Sequence, residues 1–207
     1  MSISRTRATV LAVTAASALL LAAGCSDDND TATHDTHSAT STTSSAAPSA
    51  AARTDFNDAD VTFLQMMYPH HAQAVDMAKM VPTHTQNAQL IALAAQVEKA
   101  QAPEMQQITG LLAGFGKPAP SASGGHDGHA MPGMMTDAQM SALQSAQGAD
   151  FDKQWLEMMI AHHEGAVAMA QTELAGGVNP ESRQLATAIV ADQQAEIATM
   201  RGMLGQS

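Results

Sequence analysis

A single cysteine, Cys25, stands in 207 residues, so no disulfide can close within the chain. Basic residues are scarce, nine Lys and Arg against twenty Asp and Glu, and a formal charge of −11 argues against nucleic acid as a partner. Alternation of apolar and polar residues at period two, the mark of a half-buried strand, is missing throughout, which leaves helices as the building element. Long apolar runs are missing as well, save one from Ala8 to Ala23. It is too short for a comfortable membrane span and follows Arg5 and Arg7, so it predicts a signal peptide over residues 1–24.

The run ends in Leu21-Ala22-Ala23-Gly24-Cys25, which has the form of a bacterial lipoprotein cleavage site with Cys25 as the lipidated first residue. A plain secretory signal is the alternative. Either way the chain is exported, and with the lipid it is held at a membrane facing the extracytoplasmic space. Loss of residues 1–24 removes two positive charges and no negative one, moving the formal charge from −11 to −13 and favouring cations near the surface. The Ser, Thr, Ala and Asp of residues 26–54 cannot bury enough apolar surface to order themselves, so residues 25–56 read as the lipidated cysteine and a disordered tether. His34 and His37 read as ordinary linker histidines.

What is present is a repeat. Phe63 to Ala78 returns 92 residues later as Trp155 to Ala170, with the Met-Met, His-His and Met-Ala pairs in register, and the same offset carries Leu93 onto Leu185, Gln101 onto Gln193 and Glu104 onto Glu196. A two-helix unit written twice buries its apolar stripe against the other copy, which predicts an all-α, ferritin-like four-helix bundle built from a tandem repeat. Residues 57–113 form the first unit, residues 114–148 a Gly-, His- and Met-rich linker with a short helix, and residues 149–207 the second unit. Asn57 caps the first helix, expected to stop at Val81 before Pro82; Thr83 and Gln86 are expected to box the start of the second. Thr136 and Gln139 box the short helix, expected to reach Gln147, and Asp150 starts the next. Gly176-Gly177 ends it, and Asn179-Pro180 opens the last.

At about 100° per residue, Met66, Met67, His70, His71 and Met77 fall on one half of the first helix, with Gln65, Asp76 and Lys79 on the other. Met158, Met159, His162, His163 and Met169 repeat the pattern. Four imidazoles aimed at a core are expensive to bury unless something satisfies them, and Met66 to His70 and Met67 to His71 are i, i+4 neighbours whose side chains can converge. The linker adds His126, His129, Met131, Met134 and Met135 within ten residues, more thioether than a polar loop has core to fill. Thioether and imidazole together favour Cu(I), with Ag(I) as its mimic, over iron or manganese, whose bundles present carboxylates instead. Only the imidazole share of such binding is expected to fade in acid. Glu104 and Glu196 read as solvated helix-face charges; their alternative is a pair of bridging carboxylates in a di-iron oxidase, with His70 and His162 as partners.

At Met66 to His71, Met158 to Ala166 and Met131 to Met135 the sequence resembles the CopM-like family, domain of unknown function 305, whose members are exported helical proteins. The resemblance spans roughly residues 57–206. It implies copper binding through Met66, Met67, His70, His71, Met158, Met159, His162, His163 and the Met-rich loop, and a role in copper resistance. The expected function is therefore a lipid-anchored binding protein for sequestration, transfer or resistance, without turnover, whose partners are metal ions, the membrane and a copper donor or acceptor protein. A di-iron enzyme and a metal-free structural lipoprotein are the alternatives.

Overall fold

The computed structural model describes residues 53–118 and 131–205, all within the unit Pro48–Ser207. Cys25, the signal segment, His34, His37, His126 and His129 lie outside the described residues. Four long helices and one short one follow in order: α1 (Asp58–His84), α2 (Ala88–Gly114), α3 (Asp137–Ser145), α4 (Gly148–Gly176) and α5 (Pro180–Leu204). The all-α bundle expected from the repeat is what forms, and among the described residues there is no strand and no helix long and apolar enough to cross a membrane.

Each unit is a helical hairpin, α1 with α2 and α4 with α5, and the two meet through α1 and α4. The indole N–H of Trp155 donates to the Met77 carbonyl at 2.9 Å, the rings of His70 and His162 touch in a tilted arrangement, and Asn57 Nδ2 donates to the Gly176 carbonyl. Chain numbers rise along α1 as they fall along α4, so the central pair is antiparallel. Equivalent residues His70 and His162 meet each other, which puts the pseudo-two-fold axis of the duplication between their rings. Apolar clusters lie on either side: one holds Met77, Leu90, Phe151, Trp155 and Met159, the other Leu64, Met67, Ile108, Leu112 and Ile189.

The caps show the same reciprocity. Asn57, Asn87 and Asn179 each accept backbone N–H groups at the start of α1, α2 and α5. Asp60 on α1 then accepts from Val178 and Asn179 N–H in the α4–α5 turn, while Asp152 on α4 accepts from Asn87 Nδ2 in the α1–α2 turn. Asp60 and Asp152 are separated by the repeat offset, as are Asn87 and Asn179, so each unit grips the other's turn.

Three local expectations change. α1 runs through both Pro69 and Pro82 to His84, and α2 is capped by Asn87, so Thr83 and Gln86 do not box its start. Thr83 instead donates to the Met80 carbonyl inside the last turn of α1. α3 stops at Ser145 and α4 starts at Gly148. The tether also ends earlier than expected: Arg53 pairs with Asp55 and Glu181, and the Phe56 ring stacks on Phe115 at 4.2 Å, so residues 53–56 are packed on the helices.

Asp60 and Glu173, both buried, form an acid pair where α1 starts and α4 ends. Burial opposes ionisation of Asp60, but backbone N–H groups of Asn57, Asn179 and Val178 and the side chain of Glu173 hold its carboxyl below the ordinary range. Burial, joined by the hydrogen bond to Asp60 and by its charge, pushes Glu173 up to about 8, against a weaker pull from Arg183. The folded chain therefore keeps a proton on Glu173 that the unfolded chain has released above the ordinary value of 4.5. Stability from this group is greatest in acid and falls as pH rises from that value through about 8. Glu173→Gln, which retains the shape and a donor for Asp60, should melt higher than wild type by a margin that widens to several degrees between about pH 5 and about pH 8. Thermal melts across that range test this, and a margin independent of pH would refute it.

Candidate metal centre

The histidine pairs sit in the middle of α1 and α4, and all four rings are buried, none more than 1% exposed. Two adjacent residues on a helix face different neighbours, and the pairs use this. His70 and His162 meet across the pseudo-two-fold, their rings tilted by 37° with centroids 3.7 Å apart. His71 and His163 turn toward the outer helix of their own hairpin. His71 Nε2 lies 2.8 Å from Glu104 Oε2 on α2, and His163 Nε2 lies 2.7 Å from Glu196 Oε2 on α5.

Hydrogen-bond chemistry fixes which nitrogens are free. A carboxylate only accepts, so Nε2 of His71 and of His163 carries the proton and donates. His70 Nε2 lies 3.1 Å from the Pro132 carbonyl oxygen, so it also donates. In a neutral ring that donates through Nε2, Nδ1 is a bare lone pair, and Nδ1 of His70, His71 and His163 is buried with no partner. Both ring nitrogens of His162 lack a partner as well. Burial pushes His70 down to about 3, helped by the neighbouring His71 and His163, and burial pushes His162 well down too, helped by His70, His163 and His71. These two rings stay neutral in mild acid.

A segment of the linker lies against His70 and the backbone of α4. Gln73 clamps the backbone of Met135 from both sides, its Nε2 donating to the carbonyl at 2.8 Å and its Oε1 accepting the N–H at 2.7 Å. Pro132 and Gly133 press onto α4 so closely that a Cβ on Gly165 would stand 2.0 Å from the Pro132 oxygen. Gly133 itself has φ of +79°, open to glycine at little cost, and its Cα faces the carbonyls of Ala161 and His162. Gln73 and Gly165 occupy the same position of the repeat, one holding the strap and the other making room for it.

The other candidate residues divide between the two clusters. Met67 and Met169 are buried in one with Met66 packed against it; Met77, Met159 and Met135 are buried in the other with Met158 against it. Met131 and Met134 are half-buried on the strap. Thioethers thus lie on both sides of the histidine pair. Glu104 and Glu196 are not solvated helix-face charges. They are mostly buried and hold His71 and His163, not the His70 and His162 of the di-iron alternative. Glu104 lies 33 residues after His71 and Glu196 lies 33 after His163, but the repeat keeps every such spacing equal, so this alone does not mark the pairing. Sequence reasoning also missed Gln73, Gly165 and Pro132, and the buried amides of Gln101 and Gln193, one turn before the two glutamates and with polar atoms unpartnered.

The arrangement offers nitrogen lone pairs oriented by carboxylates behind them, the usual way a histidine ligand is fixed. Among the described residues no three His, Cys, Asp or Glu side chains are grouped to hold a metal. The donor set of the centre is imidazole with thioether nearby, which fits a soft ion and not a hard one.

Comparison with known proteins agrees with this chemistry. CopM in its Cu(II)-bound form is 33% identical over 71% of this chain and 96% of its own, with a TM-score of 0.63, and the Cu(I)-bound and silver-bound forms match similarly. A candidate secreted DUF305 protein of Streptomyces coelicolor is 31% identical over 72% of this chain and 93% of its own, TM-score 0.66. A DUF305 fragment of Deinococcus radiodurans is 34% identical over 73% and 98%, TM-score 0.66. CopM is described by the metals it binds and not by a reaction. No curated protein matches the chain. With its domain of unknown function matching residues 60–204, the chain belongs to the DUF305 family.

Proposed function

We propose that the protein is an exported, lipid-anchored copper-binding protein that takes up Cu(I), with Ag(I) as a mimic, for sequestration or transfer, and performs no turnover. The observation that carries this is the set of five imidazole nitrogens buried between the hairpins without a partner. Each unsatisfied buried polar atom costs about 1–3 kcal/mol, and folding alone gives no reason to keep five at one contact. The candidate ligands are His70, His71, His162 and His163 with Met66, Met67, Met77, Met158, Met159 and Met169 from the helices, and Met131, Met134 and Met135 from the strap. His126 and His129 belong to the same Met- and His-rich linker. A two- or three-coordinate soft ion would take one or two imidazoles and complete its set with sulfur.

The kinship with CopM, in its copper- and silver-bound forms, supports the choice of metal. Export is supported by residues 1–24 and by the secreted relative; the anchor rests on Cys25. Methionine suits an oxidising compartment, where paired thiols would close into disulfides. A copper donor or acceptor protein would exchange the ion past the strap.

His162→Phe removes two unsatisfied nitrogens and no hydrogen bond, so the metal-free protein should melt no lower than wild type while Cu(I) affinity falls at least about tenfold, a loss of about 1.4 kcal/mol. Competition against a Cu(I) chelator reads this; unchanged affinity would exclude the His70–His162 pair. Changing Met66, Met67, Met158 and Met159 together to Leu conserves volume and should keep the helices while weakening Cu(I) uptake in the same assay. Gly165→Ala should displace the strap and speed Cu(I) transfer to the chelator severalfold, whereas Gly110→Ala, with open space around its Cβ, should leave the rate unchanged. Cys25→Ala should move the protein out of the membrane fraction, and a wild type found free of membranes would remove the anchor from the reading.

A further inference from the structure

One histidine of the described chain stands outside the metal centre. His84 ends α1, and its equivalent in the repeat is Gly176 at the end of α4. His84 Nδ1 lies 2.7 Å from the Met80 carbonyl oxygen, and its Nε2 lies 3.0 Å from the Gln144 carbonyl oxygen in the last turn of α3. A carbonyl oxygen has no proton to give, so each contact is attractive only if the ring nitrogen carries one. The Thr83 hydroxyl, 2.9 Å from Nδ1, spends its proton on the same Met80 carbonyl and leaves Nδ1 to donate. A neutral ring holds one N–H, and two carbonyls on opposite sides call for two, which makes this ring an imidazolium. It stacks on Phe151 with centroids 4.8 Å apart and faces the carbonyl ends of α1 and α3, where a positive charge is favoured.

We propose that His84 is a pH-sensitive fastener: with both ring nitrogens protonated it ties the end of α3 to the end of α1, and with one proton gone it lets α3 and the strap before it loosen. Loss of either proton sets a lone pair against a carbonyl oxygen, so the tie is present in acid and lost as pH rises. With nine residues, α3 is shorter than a helix that holds by itself, and it is seated by the buried Leu143 and by Met140 packed beside it. The strap runs straight into its cap, Thr136, so the Gln73 clamp on Met135 holds one end of this segment and His84 the other. Among the described residues the other unit has no counterpart of α3, and there the histidine is a glycine. The charged groups around His84 are Lys79 on α1, Asp137 at the far end of α3, and Asp150, Asp152 and Lys153 beside Phe151 on α4; the first turn of α2 has none. Asp152 accepts from Asn87 and Lys153 pairs with Glu157, so neither is committed to the ring.

The test is backbone hydrogen exchange in the metal-free full chain at about pH 5 and about pH 8, either side of the range in which histidine ordinarily titrates. Protection of α3 is taken relative to α5 in the same sample, which also reports that the bundle is folded. In wild type this ratio should fall about fivefold from the lower pH to the higher, the effect of one hydrogen bond. His84→Gln donates from one side only and does not titrate, so it should show the lower ratio at both. That variant keeps Glu173 and every other titrating group, so any change with pH that persists in it is not due to His84. Nitrogen NMR of the wild-type His84 ring at the lower pH should show a proton on both nitrogens. A wild-type ratio that does not move with pH, the same change in His84→Gln, or a singly protonated ring in acid would each overturn the proposal.

Discussion

Everything in this structure turns on the burial of imidazole between two antiparallel helices. His70 and His162 meet where the duplication folds onto itself, and a hydrogen-bonding group at such a centre cannot reach water. The apolar clusters on either side supply the favourable burial that lets the contact form, and the carboxylates of Glu104 and Glu196 orient the outer pair from behind. Replace the four rings by leucines and a better core results, in the sense that no lone pair would be stranded. That the chain keeps them makes the centre a place where folding is subordinate to chemistry.

The repeat made most of the fold legible before any coordinates. Period, caps and glycine breaks located all five helices, because each of these signals acts within a few residues. Ends were read less well where proline intervened: Pro82 was expected to stop α1, yet the turn around it closes through the Thr83 hydroxyl and the helix runs on to His84. The histidines were also legible, because adjacent polar rings on an apolar arc are conspicuous in both copies.

The partners of those histidines were harder to read. A glutamate on a helix face looks solvated in sequence, and only the packing of α2 against α1 and of α5 against α4 turns Glu104 and Glu196 inward. Equal spacing from each histidine was available as a clue, but spacing within a repeat is preserved for every residue and singles out none. Gln73 and Gly165 were invisible for a related reason. Their roles exist only relative to the strap, and a strap between repeats has no period to follow.

Duplication gives the two hairpins matching surfaces, but one linker joins them, and it can lie over their meeting point in a single direction. A glutamine at both equivalent positions would crowd the Pro132–Gly133 crossing; a glycine at both would leave the Met135 backbone unheld. Divergence at this one position converts a symmetric object into one with a front and a back. Whatever enters or leaves the histidine centre therefore meets unlike surroundings on its two approaches, and a protein made of two equal halves acquires a direction.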